Sequence, residues 1–322
     1  MRKNSNGADS SRTERSERGS AIAVTALRIL PLMLAAAVLF IMYGPWKKLS
    51  DLYITTAMHT SDHKWLATAI YPDGYIEKVM ERNAVVEPAG APAVVTSSAT
   101  DAEPELVELS GSGWSGYMLI VPSAKNIRFV FAGRDGGMLL EGLASSYRAK
   151  AAVNASGYAT NGSKGACWGF TVSSGIVKSE IAEDGFHSFA ALDFDNELHI
   201  GRMTAEELTA QGYRDVIEFG PLLMLDGERA DISGNGGGVA PRTAIGQTAD
   251  GKVLLLVTGG RDLSGLGASL CEVQDIMEEF GAVSALNLDG GYSSCMYYDG
   301  RVICQPIGSI ENRMLPNAII VY

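Results

Sequence analysis

The chain has 322 residues, 46% of them hydrophobic, and a formal net charge of −11. That hydrophobic share excludes disorder as a description of the whole chain and suffices for a packed core in one large or two small domains. The acidic balance argues against nucleic acid and anionic lipid surfaces as partners, because both are themselves negative.

Residues 1–20 mix basic side chains, from Arg2 to Arg18, with Ser, Asn and Gly, and read as a short solvated cytoplasmic tail. Residues 21–43, "AIAVTALRILPLMLAAAVLFIMY", are apolar apart from Thr25 and Arg28. A hydrocarbon core needs about 20 such residues, so the stretch is expected to be a transmembrane signal anchor. The basic residues before it outnumber Lys47 and Lys48 just after it, which favours a single-pass cell-membrane protein with its C-terminal part outside the cytoplasm. A cleaved signal peptide is the alternative, because Ala35, Ala36 and Ala37 are small, but the apolar run continues past them.

Residues 44–83 read as a juxtamembrane element. His59 and His63 stand four apart there, without a third ligand at metal-site spacing, so no metal is expected. Residues 84–105, rich in Pro, Ala, Ser and Thr, read as a linker. From 106 to 322 short β-prone runs such as "GYMLIV", "IRFVFAG", "KVLLLVTGG" and "NAIIVY" alternate with Gly and Asp turns. Two capping boxes, Thr204 with Glu207 and Ser269 with Glu272, open helices in this region. The expected fold class is α+β: a mixed or antiparallel, sheet-rich single domain with few helices, behind one N-terminal transmembrane helix.

Asp299-Gly300, between "CMYY" and "RVIC", is a two-residue hairpin signal. Counting outward from that turn sets Tyr298 against Arg301 and Cys295 against Cys304. A disulfide between the last two is therefore expected, with a pair of buried free thiols as the alternative.

Polar residues next to glycine recur at strand ends. They include Asn154 in "VNASGYATNG", Glu218 before Gly220-Pro221, Arg242 and Thr243 after Pro241, and Arg261 in "GGRD". Asp289 in "SALNLDGGYSS" completes the set, with Gly290, Gly291 and Ser293 beside it. Each has a plain explanation as a turn or cap residue. Their order and spacing, with "PRTAIG" upstream of "NLDGG", resemble the phosphodiester glycosidase family over roughly Leu106 to Tyr322. Gly259 and Tyr292 depart from the family pattern, and Ala155 and Ser156 loosen the first motif.

The resemblance implies an extracytoplasmic hydrolase cleaving a sugar-1-phosphodiester in an envelope or exopolysaccharide glycan, with that phosphorylated glycan as partner and no cofactor assigned. It carries Asn154, Arg242, Thr243, Arg261, Asp289, Gly290, Gly291 and Ser293 into the site. Arginine suits a phosphodiester because its planar fork grips two oxygens at once. Cleavage at the sugar carbon needs a carboxylate, for which Asp289 is the first candidate and Glu218 the second. A leaving phosphate monoester departs without a strong acid, so one well-placed carboxylate suffices. The competing reading is a non-catalytic cell-wall or polysaccharide-binding protein that retains the pocket. No Gly-x-Ser-x-Gly elbow is present, and Ser163-Lys164 reverses the order a phosphate loop needs.

Overall fold

A computed structural model describes residues 29–40, 43–44, 46–60, 63–96, 102–133, 137–158, 167–182, 184–260, 265–306 and 313–322. The chain divides into two compact units, Met1–Tyr53 and Ile54–Tyr322. In the first, residues 29–40 are helical, and Leu30, Leu32, Met33 and Phe40 are exposed. Among the described residues no helix is long and apolar enough to cross a membrane. Residues 21–28, 41 and 42 of the expected span lie outside the described residues.

The second unit is built on three large sheets. Among the described residues every strand pairing is antiparallel, which resolves the expected mixed or antiparallel sheet. The seven-stranded sheet centres on Arg242–Thr248, flanked by Val253–Thr258 and Ala282–Leu288. Of these, Val253–Thr258 reads as a continuous apolar run because both its faces are covered. Along Val253–Thr258, Val253, Leu255 and Val257 enter the core shared with the other two sheets, while Leu254 and Leu256 face a second core under the helix Leu270–Glu279. The two-residue side-chain alternation of a strand thus feeds two cores from one segment.

Both capping boxes form as expected, Thr204 opening Ala205–Ala210 and Ser269 opening Leu270–Glu279. The run "DVIEFGPLLML" is two strands, Asp215–Glu218 and Leu222–Leu225, separated by a cis Gly220-Pro221 bond.

Two differences from the sequence reading concern chain organisation. The residues read as juxtamembrane element and linker include a helix, Asp73–Arg82, and two short strands. Val85–Val86 pairs with Asp231–Ile232, and Ala93–Val94 pairs with His199–Ile200 at the edge of the six-stranded sheet. Pro88, Pro92 and the surrounding alanines give the composition of a linker, yet such residues are compatible with two-residue edge strands.

The second difference is a correction at the hairpin. Tyr298 opposes Arg301 and Tyr297 opposes Val302, as the turn dictates, but the register then shifts so that Met296 opposes Cys304. Ile303 is the extra residue of a bulge, which moves Cys295 beyond the end of the pairing. Cys295 and Cys304 are not joined by a disulfide, and neither Cys167 nor Cys271 forms one. Burial raises the Cys295 pKa above its ordinary value and pushes that of Cys167 up to about 11.

Candidate active site

Strand Ala282–Leu288 ends at the edge of a cavity of about 720 Å³, and the bend Asp289-Gly290-Gly291 forms part of its lining. Gly291 has φ 62°, a conformation that favours glycine. At Gly290 the requirement is space: a Cβ there would lie 2.7 Å from the Pro241 carbonyl oxygen. The Gly291 amide donates to that same oxygen at 2.8 Å. The glycines therefore let the bend pack onto the start of the neighbouring strand.

The Asp289 carboxylate accepts from the Gly290 amide at 3.0 Å and from the Ser293 side chain. Burial pushes its pKa up to about 6, against the opposing pull of Ser293, the Arg313 cation and the Gly290 amide. Desolvation penalises the charged form more than these partners favour it, leaving a carboxyl poised near neutral pH. Such a group in a cleft is a functional-site candidate.

Asn154 and Thr243 lie beneath this bend and do not line the cavity. The Asn154 Nδ2 donates to the Asp289 carbonyl at 2.6 Å, and its Oδ1 accepts from Thr243 Oγ1 at 2.7 Å and the Cys295 amide at 3.1 Å. With both ends of the amide engaged and the side chain buried, Asn154 positions the acid. Asn154, expected to be catalytic, and Thr243, expected to bind substrate, thus lie behind the acid rather than in the cavity lining.

Arg242 does line the cavity, but its guanidinium is held by protein. Nε donates to the Ala268 carbonyl at 3.3 Å, and Nη2 donates to the carbonyls of Gly237 and Gly238 at 3.0 and 2.8 Å. The cation stays near the site while its fork secures the glycine-rich loop. Arg261 lies outside the described residues.

Glu218 also lines the cavity, at the end of strand Asp215–Glu218. Its Oε2 accepts from the Phe170 amide at 2.5 Å and its Oε1 lies 2.8 Å from His187 Nδ1. Asn287, next to the bend, donates through Nδ2 to the Gly220 carbonyl at 2.7 Å, and its Oδ1 has no protein partner among the described residues.

Sequence reasoning missed four cavity-lining residues. Arg313 is exposed, lines the cavity and faces Asp289, yet nothing in "ENRMLPN" distinguishes it from any loop arginine. His187 carried a usable signal, being a ring nitrogen base inside a strand, Phe186–Leu192, that is apolar apart from it and Ser188. His59 and His63, set aside as metal ligands, both line the cavity. Burial lowers the pKa of His59, the Thr55 carbonyl at 2.8 Å opposes this, and Arg242 and Lys64 add to the lowering. Among the described residues no group of three or more His, Cys, Asp or Glu is gathered as a metal site.

The family model for phosphodiester glycosidase matches residues 147–322, more than half of the chain. The chain belongs to the phosphodiester glycosidase family. It is 26% identical over 193 residues to the SPbeta prophage-derived uncharacterized protein YomE of Bacillus subtilis (strain 168). That match covers 56% of this chain and 29% of YomE, so the chain spans under a third of that relative's length. The fold is similar to the zebrafish N-acetylglucosamine-1-phosphodiester alpha-N-acetylglucosaminidase catalytic domain auto-inhibited by pro-peptide, with TM-score 0.61 and 17% identity over 72% of this chain and 88% of that one. A hypothetical protein from Synechocystis matches with TM-score 0.50 and 19% identity over 73% of this chain and 68% of its own. At these identities the likeness is one of fold. Thr56, His59, Asn83 and Glu87 line the cavity from outside the family-matched residues.

Proposed function

We propose that this phosphodiester glycosidase family member hydrolyses a sugar-1-phosphodiester in the cavity at Asp289, acting on an envelope or exopolysaccharide glycan outside the cytoplasm. The observation that carries the reading is the Asp289 carboxyl, pushed up to about 6 and facing the exposed Arg313. Ionised at neutral pH, the carboxylate stabilises positive charge developing at the anomeric carbon as the bond to phosphate breaks. Arg313 is placed to hold the phosphodiester, with the Arg242 cation adding favourable potential behind it. Trp168, Phe186 and Tyr292 are exposed and line the same cavity, offering apolar faces to sugar rings. The apolar N-terminal stretch supports the placement outside the cytoplasm.

The test is incubation of the purified chain with a panel of sugar-1-phosphodiesters, including N-acetylglucosamine-1-phosphate esterified to a second sugar. Release of free sugar together with a phosphate monoester is expected. Release of sugar-1-phosphate and an alcohol would place the cleavage on the other side of phosphorus and overturn the glycosidase reading. Saturable binding without products would support the non-catalytic alternative.

A further inference from the structure

His187 is buried within strand Phe186–Leu192 and lines the cavity that holds Asp289. Its Nδ1 lies 2.8 Å from Glu218 Oε1. Glu218 Oε2 is itself fixed by the Phe170 amide at 2.5 Å. An ionised carboxylate has only acceptor positions, so the imidazole Nδ1 is the protonated nitrogen of this pair. Nε2, the other ring nitrogen, has no protein partner among the described residues although the atom is buried. Buried ring nitrogens are ordinarily satisfied, and an orphan beside a cavity asks for a water or a substrate atom.

Resting on the glycosidase reading above, we propose that His187 is the general base that activates the hydrolytic water, with Glu218 as its positioning residue. The arrangement is the nucleophile-base-orienter logic in which a carboxylate fixes the tautomer and steadies the imidazolium that forms. It also reassigns Glu218, whose two oxygens are both engaged and which therefore acts through His187.

In the step, the water oxygen bonds to the anomeric carbon as the carbon–oxygen bond to phosphate breaks. The bonding pair leaves on the phosphate oxygen, and one water proton moves to His187 Nε2. The sugar departs with its new hydroxyl, the phosphate as a monoester, and the imidazolium returns its proton to solvent. Asp289 carries the opposite task, stabilising positive charge at the sugar carbon. No acid is required at the leaving oxygen, which is consistent with the lone pair of His187 Nε2 being available for water.

Two measurements on the full chain test the assignment. The first is histidine-selective nitrogen NMR, which is tractable because the chain contains four histidines. The His187 signal, assigned with His187→Gln, is expected to report an Nδ1-protonated ring in the free protein, to move when N-acetylglucosamine-1-phosphate is added, and to change tautomer balance in Glu218→Gln. An Nε2-protonated ring, or one indifferent to the ligand, overturns the proposal whether or not the protein turns over substrate. Absence of hydrolysis by the wild type, with the expected tautomer and ligand response, would instead sink the glycosidase reading and retain the oriented base.

The second is kinetic. His187→Ala is expected to lose about two orders of magnitude or more in kcat, as removal of a general base typically costs, with KM little changed. Azide needs no deprotonation, so it should restore turnover in His187→Ala and yield a glycosyl azide, while leaving Asp289→Asn slow. Lack of rescue in a His187→Ala protein whose circular dichroism and melting match the wild type would overturn the role as base.

Discussion

Asn154 Nδ2 donates to the Asp289 carbonyl at 2.6 Å, tying the buried strand Ala151–Asn154 to the bend that carries the acid. The same amide accepts from Thr243 and from the Cys295 backbone, so one side chain joins three segments. Asn154→Ala leaves a carbonyl, an amide and a hydroxyl short of partners, and each unsatisfied buried group costs about 1–3 kcal/mol. A fall in melting temperature is therefore expected together with a lower kcat. Thr243→Val removes only one donor and should cost about 1 kcal/mol. Thermal unfolding of both variants checks the order. An Asn154→Ala protein that melts like the wild type would rule out the positioning role.

Arg242 and Arg313 both line the cavity, and their surroundings separate their duties. Arg242 donates to three backbone carbonyls, which a lysine cannot reproduce with its single ammonium. Arg242→Lys should lower the melting temperature. Arg313 is exposed, so Arg313→Gln should leave melting nearly unchanged, raise KM for sugar-1-phosphodiesters about tenfold or more, and weaken inhibition by phosphate. Calorimetry and steady-state kinetics on the two variants would show this contrast. Equal effects on both quantities in both variants would remove it.

The bulge at Ile303 yields a chemical expectation. Unreduced protein, unfolded and alkylated, should take up four equivalents of reagent, one for each cysteine outside a disulfide. Cys295 in the folded protein should react slowly, since burial holds its thiol protonated and reactivity follows the thiolate. Mass spectrometry reporting only two alkylated positions would return the Cys295–Cys304 bridge.

The helices with capping boxes, Ala205–Ala210 and Leu270–Glu279, were legible in the sequence because their start signals are local. The Asp299-Gly300 turn was legible for the same reason, whereas the bulge four residues on was not, because it depends on how Met296 also pairs with Val153. Asp289 could be singled out by the glycines beside it. Asn154 could be singled out too, but its role could not, because whether an amide faces a cavity or lies beneath it depends on which strand stacks over it. Arg313 and, from the earlier part of the chain, Thr56, His59, Asn83 and Glu87 reach the site through tertiary packing alone. Val85–Val86, for example, is held by Asp231–Ile232, far away in the chain.

Asp289 links chemistry and stability with opposite signs. Its pKa is raised from the ordinary carboxyl range to about 6 in the folded protein. A raised carboxyl binds its proton more tightly folded than unfolded, so its relative contribution to stability is fully present below about pH 4. That contribution is lost as pH rises through about 6. Asp289→Asn keeps the shape without the ionisation, and above pH 7 it should be more stable than the wild type by roughly 1–3 kcal/mol, at about 1.4 kcal/mol per unit less the weakened contacts to Ser293 and Gly290. The gain should shrink toward zero near pH 4. Activity should move the other way, with wild-type turnover rising as pH passes about 6 and Asp289→Asn slower by about two orders of magnitude or more above pH 7, the gap narrowing as the wild-type carboxyl protonates below that. Denaturant unfolding at pH 4 and pH 8, alongside turnover across the same range, reads both quantities. An Asp289→Asn protein with wild-type turnover, or with no pH-dependent gain in stability, would make Asp289 a turn residue and nothing more.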